Sequence, residues 1–496
     1  MDGQAERKKD EGARGLRDLR QWLQGARQLG LLQDVRGASW NLEIGALTEL
    51  NLRSRRPRVL CFDEVEGYPR GYRVVTGATS SAPALGHTLH LPTDLSDRQL
   101  VNAVRERWPR WEKAAEAHPP VEVGDGPVLE HILSGKEVDL LRFPVPLWHE
   151  KDGGRYIGTG CQVITRHRET GSVNVGCYRV QAHERNLAGV FMAPSHHGLE
   201  DMALYHARGE ACPVVVVAGH DPLFLIAAGL EIPRSVGELN FVGGVLGACV
   251  PCIRGEVTDL PIPAASEIAL EGWIAPGQMR EEGPFGEWHG HYTRPEARPV
   301  IQVERIYHRT DPILLGAPTG LAPNDVSYFR VIVKSAMFHN ILEAAGVPGV
   351  QAVWSHPAGD SRMFHIVSLK QMFPGHAQQA GVIMAQLFHT GRYVVVVEED
   401  IDPHDINQVL WAMCARSNPA EDVELQRRTL GSYGDPAIPQ PHEAVTSRAV
   451  IVACRRYERL ADYPEYAGLS PDLRERVLRR WRDVLDLPLT PGEAAL

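Results

Sequence analysis

Hydrophobic and polar residues follow different spacings along the chain, and the changes divide it into regions. Between Leu16 and Ala26 the apolar residues recur at helical intervals, which predicts an amphipathic helix. Apolar runs at 58–62 and 71–75 predict strands, and Ser96 with Gln99 forms a capping box that predicts the start of another helix. This first region is therefore predicted to be an α/β domain.

Short apolar strands dominate the next part of the chain. The segments 157–167 and 173–183 flank a turn at 169–172 and predict a long hairpin. So many strands with few helical interruptions are typical of a closed or split β-barrel. Further strands are predicted at 187–192, 213–218, 238–250, 256–264, 267–273 and 300–308.

Helical and strand patterns alternate again towards the C-terminus, which predicts a second α/β domain. The pattern at 331–345 predicts a helix, and Asp402 is predicted to cap a helix that begins at Pro403. The segment 471–485 is amphipathic and could pack on another subunit. Strands are predicted at 352–354, 363–368 and 393–397.

The fold class predicted from these patterns is α/β (α+β), with a β-barrel between two α/β domains. The predicted divisions are a disordered tail at 1–15, an N-terminal domain at 16–120, a barrel at 121–325, a C-terminal domain at 326–445 and a helical tail at 446–496.

Composition excludes several classes of function. The chain has 496 residues, 52 basic and 62 acidic, and its net charge of −10 argues against a nucleic-acid surface. No apolar run is long enough to span a membrane, and the polar N-terminus does not fit a secretion signal, so we predict a cytoplasmic protein. The eight scattered cysteines predict buried thiols rather than disulfides.

The segment from Glu281 to Tyr292 holds the strongest candidate chemistry. Glu282 and Glu287 lie five residues apart around Gly283-Pro284, with Phe285 beside them. An apolar wall disfavours the charged form of a carboxyl, which makes it useful as a proton donor. The alternative is a solvated acidic turn.

A second set of polar residues lies in and after the predicted hairpin. Asn174 and Arg179 would point to opposite faces of a regular strand, unless a bulge near Gly176 intervenes. His196 and Glu238 follow. An amide oxygen, an imidazole and a carboxylate suit Mn²⁺ or Mg²⁺ shared with a phosphate better than a closed zinc site.

Together these motifs resemble the UbiD family of reversible decarboxylases, which use prenylated FMN. The match runs in order from about Leu16 to beyond Asp422. The matching motifs are Asn174-x-x-x-x-Arg179, Pro-Ser-His at 194–196, Glu238-x-x-Phe-Val-Gly, Ser266-Glu-Ile-Ala-Leu-Glu-Gly272, Glu282-Gly-Pro-Phe-Gly-Glu287, and 394–402 followed by 409–412, Arg416 and Pro419.

The resemblance implies a central split β-barrel that holds the flavin and a C-terminal oligomerisation domain whose helical tail packs on a partner subunit. It implies a divalent metal, Mn²⁺ or Mg²⁺, bound by Asn174, His196 and Glu238 and bridging the flavin phosphate, with K⁺ close by. His197 remains a rival to His196. The implied cofactor-binding residues are Asn174, Gly176, Cys177, Tyr178, Arg179, Ser195, His196, Glu238 and Arg392, the last at a position where relatives often carry lysine.

The resemblance also implies the chemistry. Arg179 would orient the substrate carboxylate and pair with Glu282, while Glu287 would carry the proton that replaces CO₂. The substrate would be an aromatic, heteroaromatic or α,β-unsaturated carboxylic acid that forms a covalent adduct with the flavin, by cycloaddition or by simple addition. Implied partners are a UbiX-type flavin prenyltransferase that supplies the cofactor and further copies of the chain, as a homodimer or larger oligomer.

Two other functions stay open at the level of the sequence. One is a flavin-independent divalent-metal hydrolase or lyase that uses Glu238, His196 and Asp400–Asp402. The other is a non-catalytic oligomeric scaffold. Neither requires Arg179 and Glu287 together. The identity of the acid and the physiological direction of the reaction do not follow from the motifs.

Overall fold

A computed structural model describes residues 17–194, 196–387, 391–432, 435–438, 444–465 and 467–485. The predicted disordered tail at 1–15 and the candidate Ser195 lie outside the described residues. The chain divides into two compact units. The first comprises Met1–Met337, Pro357–Ser361 and Tyr433–Glu443, and the second comprises Phe338–His356, Arg362–Ser432 and Ala444–Leu496.

Strands are numbered in chain order. They are β1 (Leu32–Arg36), β2 (Val59–Asp63), β3 (Arg73–Thr76), β4 (Val121–Glu122), β5 (His131–Ser134), β6 (Arg155–Gly158), β7 (Gln162–Arg166), β8 (Val173–Gly176), β9 (Arg179–Glu184), β10 (Leu187–Phe191), β11 (Cys212–Val217), β12 (Pro251–Arg254), β13 (Pro261–Pro263), β14 (Ile268–Glu282), β15 (Glu296–His308), β16 (Ile313–Leu315), β17 (Val350–Ser355), β18 (Phe364–Leu369), β19 (Tyr393–Glu398), β20 (Val423–Leu430) and β21 (Val445–Ala453).

The α-helices are numbered in the same way. They are α1 (Leu19–Gln28), α2 (Glu43–Leu52), α3 (Ala82–Thr88), α4 (Asp97–Ala115), α5 (His197–His206), α6 (Pro222–Ala228), α7 (Glu238–Leu246), α8 (Ser327–Ala344), α9 (His376–Gln386), α10 (Ile406–Arg416), α11 (Pro419–Asp422) and α12 (Pro471–Leu485).

The first unit begins with an α/β region, as predicted. Its sheet has the order β1-β2-β3-β16 in the described part of the chain. The predicted capping box is present at the start of α4, where the Ser96 hydroxyl accepts a hydrogen bond from the backbone N–H of Gln99. The leucine-rich segment also forms its helix, α1, which Asp18 caps and which buries Leu19, Trp22 and Leu23.

An antiparallel sheet of nine described strands forms much of the remaining core of this unit, which also contains a three-stranded sheet of order β13-β12-β4. Its order is β6-β9-β10-β15-β14-β11-β7-β8, with β5 added on β15. Val163, Val180, Ile268 and Ile301 are among the apolar side chains buried against it. This is the predicted split barrel. The predicted long hairpin is interrupted, because β7 pairs with β8 while β6 pairs with β9.

The strand predicted at 238–250 is wrong, because residues Glu238–Leu246 form helix α7. Nearly every residue of this segment is buried, so its hydrophobic residues show no one-sided pattern. Hydrophobic periodicity therefore cannot distinguish a buried helix from a buried strand here. Its ends carry the distinguishing signal. Gly237 precedes the helix with a φ of 77°, and Gly247 ends it in the left-handed region with a φ of 67°.

The second unit is also α/β, as predicted. Its described strands form a sheet of order β17-β18-β19-β21-β20, in which β18, β19 and β21 run parallel. The predicted helix cap at Asp402 is wrong. Helix α10 begins at Ile406, and Asp405 is the cap because its carboxylate accepts the N–H groups of Asn407 and Gln408.

Two global expectations can be compared with the described residues. All eight cysteines are free thiols, as predicted, but not all are buried, since Cys177 and Cys249 are half-buried and Cys414 is exposed. Among the helices of the described ranges, none combines the length and the apolar character needed to cross a lipid bilayer. The C-terminal segment Pro471–Leu485 is helical, as its amphipathic pattern indicated.

Candidate active site

Arg179 enters the core of the first unit because the chain breaks its strand just before it. Strand β8 ends at Gly176, and β9 begins at Arg179. The ring of Tyr178 lies over Gly176, where an added Cβ would come within 2.2 Å of the ring. The Cys177 N–H leaves the sheet and donates to the carbonyl of Ala228 at 2.8 Å. This break, close to the bulge considered from the sequence, lets Asn174 and Arg179 serve different contacts.

The guanidinium of Arg179 holds both candidate acids. Its Nε and Nη2 donate to the two carboxylate oxygens of Glu282, each at 2.7 Å. Its Nη1 donates to Glu287 Oε1 at 2.5 Å. The side chains of Arg179 and Glu282 are 7% and 1% exposed, whereas that of Glu287 is 17% exposed. The three residues predicted to be catalytic therefore form one buried triad.

Aromatic side chains enclose this triad. The guanidinium carbon of Arg179 lies 4.2 Å from the ring centroid of Phe191 and 5.4 Å from that of Phe285. Burial by itself would lower the pKa of Arg179, but the hydrogen bonds from Glu282 and the charge of Glu287 outweigh it and raise that pKa. Arg179 therefore remains a cation.

Tyr156 is a member of the site that the sequence reading missed. Its hydroxyl donates to Glu282 Oε1 at 2.9 Å, and its side chain is fully buried. Burial and then the neighbouring charge of Glu282 raise the pKa of Tyr156 far above its ordinary value, so the hydroxyl remains a donor. The available signal was the pair Gly153-Gly154 just before it, since adjacent glycines often mark a close approach of two backbones.

Glu287 lies in the turn between β14 and β15. Strand β14 carries Glu282 as its last residue, so the two acids leave the same sheet edge. Within the turn the Glu287 N–H donates to the carbonyl of His291 at 3.0 Å. The Trp288 N–H donates to Glu287 Oε2 at 3.2 Å. Both contacts direct the carboxylate back towards Arg179.

A second cluster forms around Asn174 on β8. The Val175 N–H donates to Glu238 Oε2 at 3.1 Å, which brings the first residue of α7 beside Asn174. Both Asn174 and Glu238 are buried. Burial raises the pKa of Glu238 to about 7, in spite of its backbone hydrogen bonds. A buried carboxylate of this kind fits a bound cation, because a cation would compensate the lost hydration.

His196 packs against Tyr178, which follows β8. The rings of Tyr178 and His196 stack with centroids 5.2 Å apart. The Gly198 N–H donates to the Tyr178 hydroxyl at 3.3 Å. Burial raises the pKa of Tyr178 to about 12, although hydrogen bonding with Asn174 opposes this. His197 instead begins helix α5, and burial and then Arg234 lower its pKa.

A chain of buried hydrogen bonds orients the amide of Asn174. Its Nδ2 donates to Thr165 Oγ1 at 3.1 Å, and that hydroxyl donates to Asp201 Oδ2 at 2.6 Å. Arg234 donates to the other oxygen of Asp201 at 2.9 Å. Because the amide nitrogen is already bound, the amide oxygen is the atom left to face a ligand. Thr165 and Asp201 gave no signal in the sequence.

The remaining predicted cofactor contacts have simpler positions. Cys177 is half-buried and donates its thiol to the carbonyl of Thr159 at 3.4 Å. Arg392 precedes β19 in the second unit, where its carbonyl accepts from Ala449 N–H at 2.9 Å. The contact of Arg392 with a phosphate stays a prediction.

The acids of the flavin-independent alternative have other partners. Asp400 accepts two hydrogen bonds from Arg416, at 2.8 and 2.6 Å, and Arg416 lowers the pKa of Asp400. Asp402 accepts from the backbone N–H of His404 at 3.0 Å. In the part of the chain that the structure describes, no three His, Cys, Asp or Glu side chains are arranged to hold a metal.

Comparison with known proteins gives three matches to one family. The N-terminal domain of 3-octaprenyl-4-hydroxybenzoate carboxy-lyase (UbiD) matches residues 23–104, its Rift-related domain matches 120–322, and its C-terminal domain matches 327–453. The pyrrole-2-carboxylic acid decarboxylase of Pseudomonas aeruginosa is 33% identical over 499 residues, covering 94% of this chain and 98% of that protein.

Solved structures agree with the sequence matches. Vanillic acid decarboxylase of Sedimentibacter hydroxybenzoicus in its closed form has a TM-score of 0.81 and 26% identity, covering 96% of this chain and 100% of that one. The UbiD-class enzyme HmfF of Pelotomaculum thermopropionicum with FMN has a TM-score of 0.80 and 26% identity, over 92% of this chain and 98% of that one. An evolved dimeric form of HmfF with prFMN has a TM-score of 0.77 and 25% identity, with the same coverage.

Replacing Arg179 by methionine should destabilise the fold, because it leaves the buried carboxyl of Glu282 and the half-buried carboxyl of Glu287 without their cation. Removing one partner of a buried ion pair costs about 3–5 kcal/mol, and we expect Arg179→Met to lower the free energy of unfolding by that amount. Urea-induced unfolding followed by circular dichroism measures the change.

Arg27→Met is the matched control. Arg27 also makes a two-pronged contact with a carboxylate, that of Asp34 at 2.6 and 2.7 Å, but this pair is exposed. Exposed pairs contribute about 0–1 kcal/mol. Equal losses of stability in the two variants would contradict the role given to burial.

Proposed function

The chain belongs to the UbiD family of carboxy-lyases, and from this premise we propose that it removes CO₂ reversibly from a heteroaromatic carboxylic acid with the help of prenylated FMN. Decarboxylation, the reaction class of the family, agrees with the function predicted from the sequence. The observation in the chain itself that carries the proposal is the buried guanidinium of Arg179 held by Glu282 and Glu287.

The charge balance of this triad leaves room for one proton. Two carboxyls share one guanidinium, so the neutral state carries a proton on one of them. Glu282 accepts two N–H groups of Arg179 and the hydroxyl of Tyr156, so both of its oxygens are occupied by hydrogen bonds. Glu287 accepts a single bond from Arg179 and is the more exposed acid. We therefore assign the exchangeable proton to Glu287.

Arg179 also has donors for the substrate. A guanidinium has five N–H groups, and within the described residues three of those of Arg179 are hydrogen-bonded to the two acids. The remaining donors would bind and orient the carboxylate that leaves as CO₂. Glu287 would then deliver its proton to the carbon that lost CO₂, and general acid catalysis of this kind contributes about 10²–10⁴ in rate.

The flavin would supply an electron sink, which no amino-acid side chain offers. Asn174, His196 and Glu238 would hold a divalent cation beside the flavin phosphate, because they offer an amide oxygen, an imidazole and a buried carboxylate. Mn²⁺ or Mg²⁺ is the proposed metal, with K⁺ nearby and Arg392 as a further phosphate contact.

The substrate class follows from the relatives. The Pseudomonas aeruginosa protein, which aligns over nearly the whole chain, acts on pyrrole-2-carboxylic acid, and the Sedimentibacter hydroxybenzoicus enzyme acts on vanillic acid. We propose a heteroaromatic acid first and a phenolic acid second. A UbiX-type flavin prenyltransferase would supply the cofactor, and the second unit would join copies of the chain into a dimer or larger oligomer.

Removal of the proposed proton donor should abolish most of the turnover. We expect Glu287→Gln to lower kcat by at least about 10²-fold, because the amide cannot donate an acidic proton, while the visible absorption of the bound flavin is retained. Decarboxylation rates and absorption spectra of the purified holoenzyme measure both effects. Glu281→Gln is the control, since Glu281 is exposed on β14, the strand that leads into the turn. Wild-type kcat in Glu287→Gln would exclude the role.

The choice between the neighbouring histidines can be made by metal analysis. We expect His196→Ala to lose bound manganese, because it removes a proposed ligand, and His197→Ala to retain it. Elemental analysis of both purified proteins gives the metal content per chain. Loss of manganese from His197→Ala alone would reverse the assignment.

The proposed substrate class can be tested with the complete holoenzyme. The chain would be expressed together with a flavin prenyltransferase and incubated in D₂O with pyrrole-2-carboxylate, furan-2-carboxylate, vanillate and cinnamate. We expect CO₂ release and deuterium incorporation into the product to be fastest with pyrrole-2-carboxylate among the four acids. Enzyme that holds flavin and metal but converts none of these acids would refute the proposed function.

A further inference from the structure

The backbone of Gly286, directly before Glu287, is held at both its N–H and its carbonyl by side chains from outside the turn. Its N–H donates to Asp152 Oδ1 at 3.0 Å. Its carbonyl accepts from Thr319 Oγ1 at 2.7 Å. The acceptor, Asp152, and the donor, Thr319, lie 134 and 33 residues away in sequence. They constrain the position of the backbone that carries the proposed proton donor.

His149 locks Asp152 in this position. The second oxygen, Asp152 Oδ2, accepts the backbone N–H of His149 at 3.0 Å and lies 3.0 Å from its Nδ1. The carboxylate of Asp152 is fully buried. Burial by itself would lower the pKa of His149, but Asp152 beside it outweighs burial and raises that pKa, with smaller contributions from Glu49 and the backbone of Thr319. His149 therefore interacts with Asp152 and with the backbone of Thr319.

The backbone beside Asp152 also follows the turn closely. The Gly153 N–H donates to the Pro284 carbonyl at 2.7 Å. An added Cβ on Gly153 would lie 1.9 Å from the Gly283 carbonyl, and one on Gly286 would lie 2.8 Å from the ring of His149. Only glycine permits this approach at either position. The segment from His149 to Gly153 is thus a template on which the acidic turn rests.

We propose that Asp152 and Thr319 are positioning residues for Glu287 and that His149 holds Asp152 in place for this task. The inference rests on the proposed function, since it assigns Glu287 the proton. Asp152 and Thr319 bind the backbone of Gly286 rather than the carboxylate of Glu287, so they act on the proton donor through its position. A displacement of about 1 Å in a catalytic group can cost about 10²-fold in rate. The hydrogen bonds of Asp152 and Thr319 to Gly286, here called the clamp, should therefore affect kcat.

Other hydrogen bonds of the turn do not replace this clamp. The Phe285 N–H donates to Thr293 Oγ1 at 3.0 Å, and the Glu287 N–H donates to the His291 carbonyl at 3.0 Å. Both pairs lie within the turn and its flank, so they set its shape. Shape alone does not set the distance from Glu287 to Arg179, which depends on contacts with the rest of the unit.

Thr319 allows a matched test, because valine removes the hydroxyl with little change in volume and serine retains it. We expect Thr319→Val in the holoenzyme to lower kcat by about 10-fold or more while KM changes less than about two-fold, since the carboxylate-binding donors of Arg179 remain. Thr319→Ser should restore kcat. Asp152→Asn should behave like Thr319→Val, because an amide has one acceptor oxygen and cannot accept from both Gly286 and His149.

Hydrogen–deuterium exchange gives a readout that does not depend on activity. We expect the amides of residues 284–292 to exchange faster in Thr319→Val and Asp152→Asn than in wild type and Thr319→Ser. Wild-type exchange in both variants would overturn the clamp, and faster exchange with unchanged kcat would overturn its positioning role. If wild-type holoenzyme converts no acid, the proposed function fails, whereas the exchange experiment still decides whether the clamp exists.

Discussion

The buried ion pair between Arg179 and Glu282 is the interaction on which the site depends. Charged groups lose hydration on burial, and a buried pair persists only when its geometry is good and its remaining polar atoms are satisfied. Here the fork of the guanidinium matches both carboxylate oxygens at 2.7 Å, and Tyr156 adds a third hydrogen bond. Arginine suits this task better than lysine, because its planar donors meet the carboxylate in two places.

The same short stretch of chain serves two kinds of chemistry. Asn174 on β8 belongs to the cluster with Glu238, and Arg179 at the start of β9 belongs to the acid triad. The break at Cys177 and Tyr178 separates them and turns each towards its own partners. In our proposal, Asn174 would bind the metal near the phosphate and Arg179 would orient the substrate. The two residues lie on either side of the break between β8 and β9, so this one backbone feature sets their spacing.

The triad also explains why the turn around Glu287 needs support from outside. Its hydrogen bond to Arg179 is the only one that a turn residue makes to that guanidinium among the described contacts. Strand β14, which leads into the turn, ends at Glu282, so the β-sheet does not extend to Glu287. Asp152 and Thr319 fill this gap by binding the Gly286 peptide, and the close approach of glycine backbones makes the contact possible.

Sequence alone determined most of the elements, the order of the regions and the members of the triad, but not the helix at Glu238–Leu246 or the start of α10. Capping at Ser96, the free cysteines and the α/β–barrel–α/β order follow from local patterns, while the grouping of Arg179 with both acids came from the family resemblance rather than from strand periodicity. Tertiary structure decided that Glu238 begins a helix and that Tyr156, Thr165, Asp152 and Thr319 support the site. These contacts join residues up to 134 positions apart. Their geometry depends on sheet register and close backbone packing, which local hydrophobic patterns do not encode.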